Sequence, residues 1–168
     1  MNQEYTIRRV TVDDATRIAE IYNYYVEHTI VTFEEMPVDK FEMEKRIQAI
    51  AIRFPYLVLE QNREVIGYAY ATEWKTRSAY RYSAENTIYL DHLKIGNGAG
   101  SLLFEAFLTE VKKTNLHSLV GGIALPNPAS IALHEKFGFK MIGTFGQIGF
   151  KFGKWIDVGY WEYFNQHP

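Results

Sequence analysis

A carboxylate and a glycine-rich segment lie close together in the middle of the chain, between Glu85 and Ser101. Gly96, Gly98 and Gly100 fall where an alternating strand pattern passes into the amphipathic segment SLLFEAFLTEVKK. Glycine-rich backbone at the start of a helix lets several N–H groups converge on one anion, and the helix dipole adds to the attraction. The loop suits a pyrophosphate, and Glu85 is a candidate base. The pattern indicates a transferase that uses a phosphorylated carrier.

Other nucleotide loops fit this glycine spacing less well. A P-loop requires a Gly-Lys-Ser/Thr run, and no lysine lies between Gly96 and Ser101. A dinucleotide fingerprint requires a third glycine where Ser101 stands, and the next strand, Leu116–Leu125, ends without the acidic residue that holds a ribose. A glycine-rich turn that only reverses the chain stays open as an alternative.

Length and composition limit the class of protein. The 168 residues suffice for one packed domain, and 47% hydrophobic and 15% aromatic residues indicate a substantial core. A net charge of −2 without a basic run argues against nucleic-acid binding. The chain has no cysteine, which excludes disulfides and thiolate chemistry, and it has neither a signal-peptide core nor an apolar run of membrane-spanning length. We expect a cytoplasmic protein without nucleic-acid or membrane partners.

Hydrophobic periodicity predicts a single α/β domain with a mixed sheet flanked by helices, in the order βααβββαβαββ. The predicted strands are Tyr5–Val10, Tyr56–Glu60, Val65–Thr72, Asn86–Leu90, Leu116–Leu125, Lys140–Phe150 and Trp155–Phe164. The first predicted helix begins after Thr11. The other three cover about Val38–Ile52, Gly100–Thr114 and Ala129–Phe137. The segment Glu73–Ser83 has no clean period.

Four blocks of sequence resemble the GCN5-related N-acetyltransferases (GNAT). Gly98-Ala-Gly-Ser-Leu-Leu is similar to their acetyl-CoA loop, and Leu125–Phe139 resembles their Asn-x-x-(A/S) helix with its following Gly-Phe. Tyr80–Leu90 and Gly149–Trp161 are similar to the phosphinothricin and methionine sulfoximine N-acetyltransferase branch. The resemblance spans most of the chain and implies one N-acetyltransferase domain, residues 1–168, with the GNAT fold.

The resemblance implies an acetyl-CoA site. The strand before the loop pairs with the pantetheine arm, the loop amides hold the pyrophosphate, and the next helix begins at a residue that contacts the carrier. The residues in these places are Ile88, Tyr89, Leu90, Gly96, Asn97, Gly98, Ala99, Gly100, Ser101 and Asn127. The family usually has Gln or Arg where this chain has Ile95, and Lys94 could supply the missing charge.

Two residues match catalytic positions of the branch. Glu85 aligns with its general base, which a protonated amine requires before it can attack. His134 falls where many relatives carry the tyrosine that protonates the departing thiolate, a step that water could also perform. A glutamate at a strand start is otherwise a surface charge, and a helical histidine otherwise caps or packs. The histidines lack metal-ligand spacing, so we expect no metal.

The expected acceptor is a small-molecule amine, the α-amine of an amino acid or analogue of the phosphinothricin type. Residues placed to bind it are Arg77, Ser78, Tyr80 and Arg81, in which the two arginines suit an anionic group. Other acceptors (a polyamine, an aminoglycoside, a protein N-terminus) and a non-catalytic acyl-CoA-binding module stay as alternatives. Phe33 and Trp155 are expected first in the core, with the pocket or a dimer face as the alternative, and the aromatic content suggests a homodimer.

Overall fold

The computed structural model describes residues 4–165. Within that range it has seven strands, four helices and two 3₁₀ turns, Val12–Asp14 and Ser78–Tyr80. The strands are β1 Tyr5–Arg9, β2 Tyr56–Gln61, β3 Glu64–Glu73, β4 Ser83–Leu90, β5 Ser118–Ala124, β6 Lys140–Lys151 and β7 Lys154–Phe164. The helices are α1 Ala15–His28, α2 Lys40–Ala51, α3 Ala99–Val111 and α4 Pro128–Lys136. The predicted fold class and element order are confirmed.

The strands form one sheet in the order β1-β2-β3-β4-β5-β7-β6. Every neighbouring pair is antiparallel except β4 and β5, which are parallel and are joined by the crossover helix α3. The β4–β5 ladder contains only three pairs, from Ser83↔Ser118 to Glu85↔Val120. Beyond Glu85 the two central strands separate, which opens the middle of the sheet.

Each face of the sheet packs on its own pair of helices. On one face, which we call the α3/α4 face, Leu103, Phe104 and Phe107 of α3 form a core with β2, β3 and β4. On the other, the α1/α2 face, Ile18 and Ile47 pack against the tyrosines of β3. Burial of these apolar side chains contributes about 1.5–3 kcal/mol each to the free energy of folding.

Local capping sets the helix starts. The side chain of Asp39 accepts the Glu42 N–H at 2.8 Å, so α2 begins at Lys40 rather than at Val38. Asn127 accepts the Ser130 N–H at 3.1 Å at the start of α4. No helix within residues 4–165 is long and apolar enough to cross a membrane.

The expectation that Phe33 and Trp155 lie in the core was wrong. Their side chains are 40% and 63% exposed. Phe33 belongs to the loop between α1 and α2, and Trp155 belongs to the β6–β7 hairpin at the edge of the sheet. Trp155 lies where β7 extends past its last pair with β5, at Val158, and Phe33 lies in a loop, so composition alone did not place these two rings.

Candidate active site

Alternate residues of β4 direct their backbone groups to opposite neighbours. The Asp91 N–H, just beyond the strand, donates to the Ile66 carbonyl on the β3 side at 2.7 Å. Because antiparallel pairs alternate between bonded and non-bonded positions, the odd-numbered residues of β4 bond to β3 and the even-numbered residues face β5. The N–H and C=O groups of Ile88 and Leu90 therefore point toward β5, whereas those of Tyr89 are paired with Tyr68.

Separation of β4 from β5 leaves part of this strand edge open. Ile88 and Leu90 lie past the last β4–β5 pair, so their backbone groups line a gap within the sheet. The Tyr25 hydroxyl donates to the Leu90 carbonyl at 2.6 Å from the α1 side. The free groups can pair with an extended, amide-containing chain in the way that a sheet edge accepts another strand.

The gap opens into a cavity of about 1060 Å³. Most of the predicted catalytic and carrier-binding residues line it, namely Glu85, Ile88, Tyr89, Leu90, Gly96, Gly98, Gly100, Ser101, Asn127 and His134. Asn97 and Ala99 belong to the same loop but do not line the cavity. Ala99 is 2% exposed and packs beneath the first turn of α3.

The glycine loop ends in free N–H groups at the start of α3. Gly96 and Gly98 have φ angles of 89° and 79°, a conformation that side chains disfavour. The first intrahelical bond runs from the Leu102 N–H to the Gly98 carbonyl at 3.0 Å, so the preceding amides remain available to an anion. This geometry is the anion-binding helix start that the glycine spacing predicts.

A lysine from α4 supplies charge to this loop. Lys136 lines the cavity, and its Nζ donates to the Ser101 Oγ at 2.9 Å. Lys94, which the sequence suggested as a replacement for the missing Gln or Arg, does not line the cavity, although Ile95 does. The cation that contacts Ser101 thus comes from a helix, 35 residues further along the chain.

Glu85 lies at the point where β4 and β5 separate, on the α1/α2 face. A β-carbon added at Gly122 would lie 3.3 Å from the Glu85 Oε1 and 3.3 Å from the Tyr160 ring. Burial raises the pKa of Glu85 above its ordinary 4.5, and the charge of Lys75 partly opposes that rise. Burial and the Glu85 charge also raise the pKa of Tyr160. A carboxylate with a raised pKa, open to a cavity, is suited to accept a proton.

His134 occupies the opposite, α3/α4 face, where it packs against Phe104 and Phe139. Its Nδ1 lies 2.8 Å from the Ser130 carbonyl oxygen, and its Nε2 lies 2.9 Å from the Asn86 Nδ2. Burial lowers the pKa of His134 below its ordinary 6.5, against the favourable effect of the Ser130 bond. The ring is therefore neutral near pH 7, with both nitrogens engaged.

Glu85 and His134 consequently flank the gap from opposite faces of the sheet. Adjacent residues of a strand point to opposite faces, so Glu85 and Asn86 direct their side chains to different sides. Two glycines of β5 make room for these groups: Gly121 faces His134, and Gly122 faces Glu85. A ligand threaded between the strands would have the carboxylate on one side and the imidazole on the other.

The predicted acceptor-binding residues are not brought into the cavity. Arg77, Ser78, Tyr80 and Arg81 lie on the exposed turn between β3 and β4. The Arg81 guanidinium stacks on Tyr82 and donates to the Ser78 carbonyl at 3.1 Å. Their role in binding an acceptor stays a prediction. No cluster of three acidic or histidine residues that could hold a metal occurs in the described part of the chain.

A sequence profile described as Acetyltransferase (GNAT) domain matches residues 7–159. The chain belongs to the GNAT acetyltransferase family. It is 36% identical over 156 residues to the phosphinothricin N-acetyltransferase of Streptomyces viridochromogenes, an alignment that covers 93% of this chain and 85% of the relative. It is 34% identical over 158 residues to the L-methionine sulfoximine/L-methionine sulfone acetyltransferase of Salmonella typhimurium, with 94% of this chain and 92% of the relative covered.

Solved GNAT structures agree with this assignment. A phosphinothricin acetyltransferase from Sinorhizobium meliloti, solved in complex with acetyl-CoA, matches with a TM-score of 0.91 and 34% identity. The match covers 97% of this chain and 88% of the other. The resemblance to the phosphinothricin and methionine sulfoximine branch is confirmed, and the protein is an N-acetyltransferase.

Three parts of this GNAT site were missed from the sequence. Gly121 and Gly122 were taken as part of an ordinary buried strand, although two consecutive glycines in a strand often mark a close approach. Lys136 resembled a surface charge at a helix end, and Tyr160 resembled one aromatic residue among many. Their positions follow from pairings between distant segments, for which the local pattern carries little signal.

Proposed function

We propose that this protein transfers the acetyl group of acetyl-CoA to the α-amine of a small amino acid or analogue of the phosphinothricin and methionine sulfoximine type. The observation that carries the proposal is the half-buried carboxylate of Glu85 beside the open edge of β4. The activities for which the relatives are named support this choice of donor and acceptor.

The residues present fit acetyl-CoA. The open Ile88 C=O and Leu90 N–H groups would pair with the amides of the pantetheine arm, and the start of α3 would hold the pyrophosphate. Lys136 would add a positive charge beside Ser101. Tyr89 would contribute its side chain rather than its backbone, because its backbone bonds to β3.

In the proposed reaction Glu85 accepts a proton from the ammonium group of the acceptor, directly or through water. The free amine attacks the thioester carbonyl and forms the C–N bond, and the carbonyl oxygen becomes an oxyanion to which the Ile88 N–H can donate. Collapse of the intermediate restores the carbonyl and breaks the C–S bond, and the nitrogen releases its second proton to water. The thiolate then takes a proton from His134 or from water.

Water is the proposed proton donor on the present geometry. His134 is neutral near pH 7, and its Nε2 lone pair accepts a hydrogen bond from the Asn86 amide. His134 can act as the acid only after that bond is released and the ring is protonated. The predicted catalytic role of His134 is therefore a second possibility, which the kcat of His134→Gln decides.

For the anionic group of the acceptor we propose Arg77 and Arg81, with Ser78 and Tyr80 beside them. They belong to the turn that leads into β4 a few residues before Glu85. Lys75 is close enough for its charge to lower the Glu85 pKa, so this end of the site is cationic. A cationic site favours an amino acid over a polyamine.

An acceptor screen tests the proposal. Purified protein is mixed with acetyl-CoA and one amine at a time, and thiol release is followed. Methionine sulfoximine or phosphinothricin should give a kcat/KM at least tenfold above that of spermine, an aminoglycoside or a peptide N-terminus. A higher value for spermine or a peptide would overturn the acceptor class, and tight acetyl-CoA binding without thiol release would overturn catalysis.

We further propose that the protein is a cytoplasmic homodimer, since acetyl-CoA is an intracellular metabolite. The edge strand β6 and its hairpin expose large apolar side chains: Met141, Ile142, Phe145, Ile148, Phe150, Phe152, Trp155 and Phe164. An apolar edge of this kind favours association with a second copy. Light scattering should give twice the 19.5 kDa chain mass, and Trp155→Glu should reduce it to the monomer value. A monomeric wild type would refute the dimer.

A further inference from the structure

The loop between α1 and α2, residues 29–39, forms one wall of the cavity. Val31, Thr32 and Phe33 line the cavity together with Glu85. The loop lies on the same face of the sheet as Glu85, since Thr32 bonds to Tyr22 of α1, whose ring packs on Tyr89 of β4. Its position therefore bears on the side of the cavity where the carboxylate lies.

A buried lysine joins this loop to β6. Lys151 is 2% exposed, and its Nζ donates to the Thr32 carbonyl at 2.8 Å across 119 positions of sequence. Removing an ammonium group from water costs several kcal/mol unless partners compensate. Burial lowers the pKa of Lys151, and the charges of Glu35 and Glu34 in the same loop oppose that effect. The loop thus provides both the acceptor and the counter-charge for this lysine.

Phe33, which follows Thr32 in the loop, also contacts β6. A β-carbon at Gly149 would collide with the ring of Phe33, so the absence of a side chain at 149 is what lets the ring pack on the strand. Gly149 and Lys151 are two positions apart in a regularly paired part of β6 and share a face. Thr32 and Phe33 are consecutive, so two adjacent contacts fix the loop to β6.

The far side of the loop is held by α1 and α2. The Tyr22 hydroxyl lies 2.7 Å from the Thr32 Oγ1 and donates to the Glu34 Oε1 at 2.9 Å. Arg46 of α2 donates to both carboxylate oxygens of Glu34, at 2.6 and 3.2 Å. On the opposite side, the Lys151 bond and the Phe33–Gly149 contact join the loop to the hairpin.

We propose that Lys151 is a positioning residue for the acceptor amine. Through the Thr32 carbonyl it holds Phe33 against Gly149 and so fixes the cavity wall on the Glu85 side. The inference rests on the proposed function, because it assigns that wall to the acceptor. It predicts that loss of the ammonium group harms acceptor binding and leaves acetyl-CoA binding largely intact, since the glycine loop and Lys136 lie on other elements.

Lys151→Met tests the inference, with Lys154→Met as control at an exposed lysine of the same hairpin. Because the hydrogen bond from Lys151 has a charged donor, we expect its loss to raise the KM for the amine about tenfold or more. The KM for acetyl-CoA should stay within about twofold, and amide exchange in residues 29–38 should accelerate. The control should match the wild type in all three measurements.

Gly149→Ala provides a second route if Lys151→Met fails to fold. It displaces Phe33 while leaving the lysine in place, and it should raise the KM for the amine selectively. An unchanged KM for the amine, an equal rise in both KM values, or unchanged loop exchange would overturn the inference. A wild type without acetyl transfer would contradict the proposed function instead, and the exchange measurement would still decide whether Lys151 holds the loop.

Discussion

The Nε2 atom of His134 lies 2.9 Å from the Nδ2 atom of Asn86, which joins α4 to β4 inside the sheet gap. The Ser130 carbonyl can only accept, so Nδ1 carries the proton and Nε2 accepts from the Asn86 amide. The Asn86 Oδ1 is buried and has no hydrogen-bond partner among residues 4–165. Protonation of His134 would require the amide to turn over, so the pair favours the neutral ring.

This pair predicts a loss of stability in mild acid. The folded pKa of His134 lies below 6.5, so as pH falls below 6.5 the unfolded chain binds a proton that the native chain does not. The contribution of His134 is complete above pH 6.5 and is lost toward the folded pKa. Urea unfolding at pH 7.5 and pH 5 should show a smaller acid-induced loss for His134→Gln than for the wild type. The exposed His117→Gln control should behave as the wild type.

The same His134 variant decides the proton donor. If water protonates the thiolate, saturating kcat for His134→Gln should stay within about threefold of the wild type. General acid catalysis typically contributes about 10²–10⁴-fold. A loss of that size, in a variant that binds acetyl-CoA normally, would restore His134 as the catalytic acid.

Glu85 should destabilise the protein at neutral pH. Burial raises its folded pKa above 4.5, so the native chain holds this proton more tightly than the unfolded chain does. Stability therefore falls as pH rises from 4.5 through the folded pKa. Glu85→Gln should increase the free energy of unfolding at pH 7, and the gain should shrink toward pH 4. Equal stability of variant and wild type at pH 7 would contradict this, and Glu105→Gln on the exposed side of α3 is the control.

Gly122→Ala should impair turnover through Glu85. The new β-carbon would lie 3.3 Å from the Glu85 Oε1 and from the Tyr160 ring, so one of them must shift by a few tenths of an ångström. Displacements of about 1 Å can cost about 10²-fold, so we expect kcat to fall about tenfold. Gly143→Ala, where a β-carbon meets open space, should leave kcat unchanged. Equal kcat values for both variants would show that Glu85 is not constrained by Gly122.

Lys136→Met should weaken acetyl-CoA binding. Loss of one charged hydrogen bond at the pyrophosphate should raise the Kd about tenfold, with a larger effect at low ionic strength. Calorimetry at two salt concentrations measures both quantities. Lys94→Met should have little effect, because Lys94 does not line the cavity. A larger effect at Lys94 than at Lys136 would reverse the assignment of this charge.

Hydrophobic periodicity and turn residues were enough to predict the order of the elements. The observed ends of helices and strands differ from the predicted ends by a few residues where capping side chains or neighbouring strands determine them. Asp39 caps α2, so the helix begins at Lys40 rather than at Val38. Strand β4 begins at Ser83 rather than at Asn86 because both neighbouring strands pair with it. The glycine loop was predictable because Gly96 and Gly98 satisfy a local backbone requirement.

The parts that depend on distant residues could not be predicted in the same way. The gap exists because the pairing of β4 with β5 stops after Glu85 and Val120. The sequence of neither strand alone indicates where the pairing stops. Lys136 and Lys151 look like surface charges in sequence, yet one meets the anion loop and the other is buried. Arg77 and Arg81 lie on an exposed turn, which the non-periodic segment Glu73–Ser83 did not indicate.

The most direct measurement compares Glu85→Gln with the wild type in saturating kcat and in the Kd for acetyl-CoA. We expect kcat to fall about 100-fold or more, since the amide cannot take the proton from the acceptor. The Kd for acetyl-CoA should stay within about twofold of the wild-type value. A kcat equal to that of the wild type, or a loss of activity explained wholly by weaker acetyl-CoA binding, would contradict this prediction.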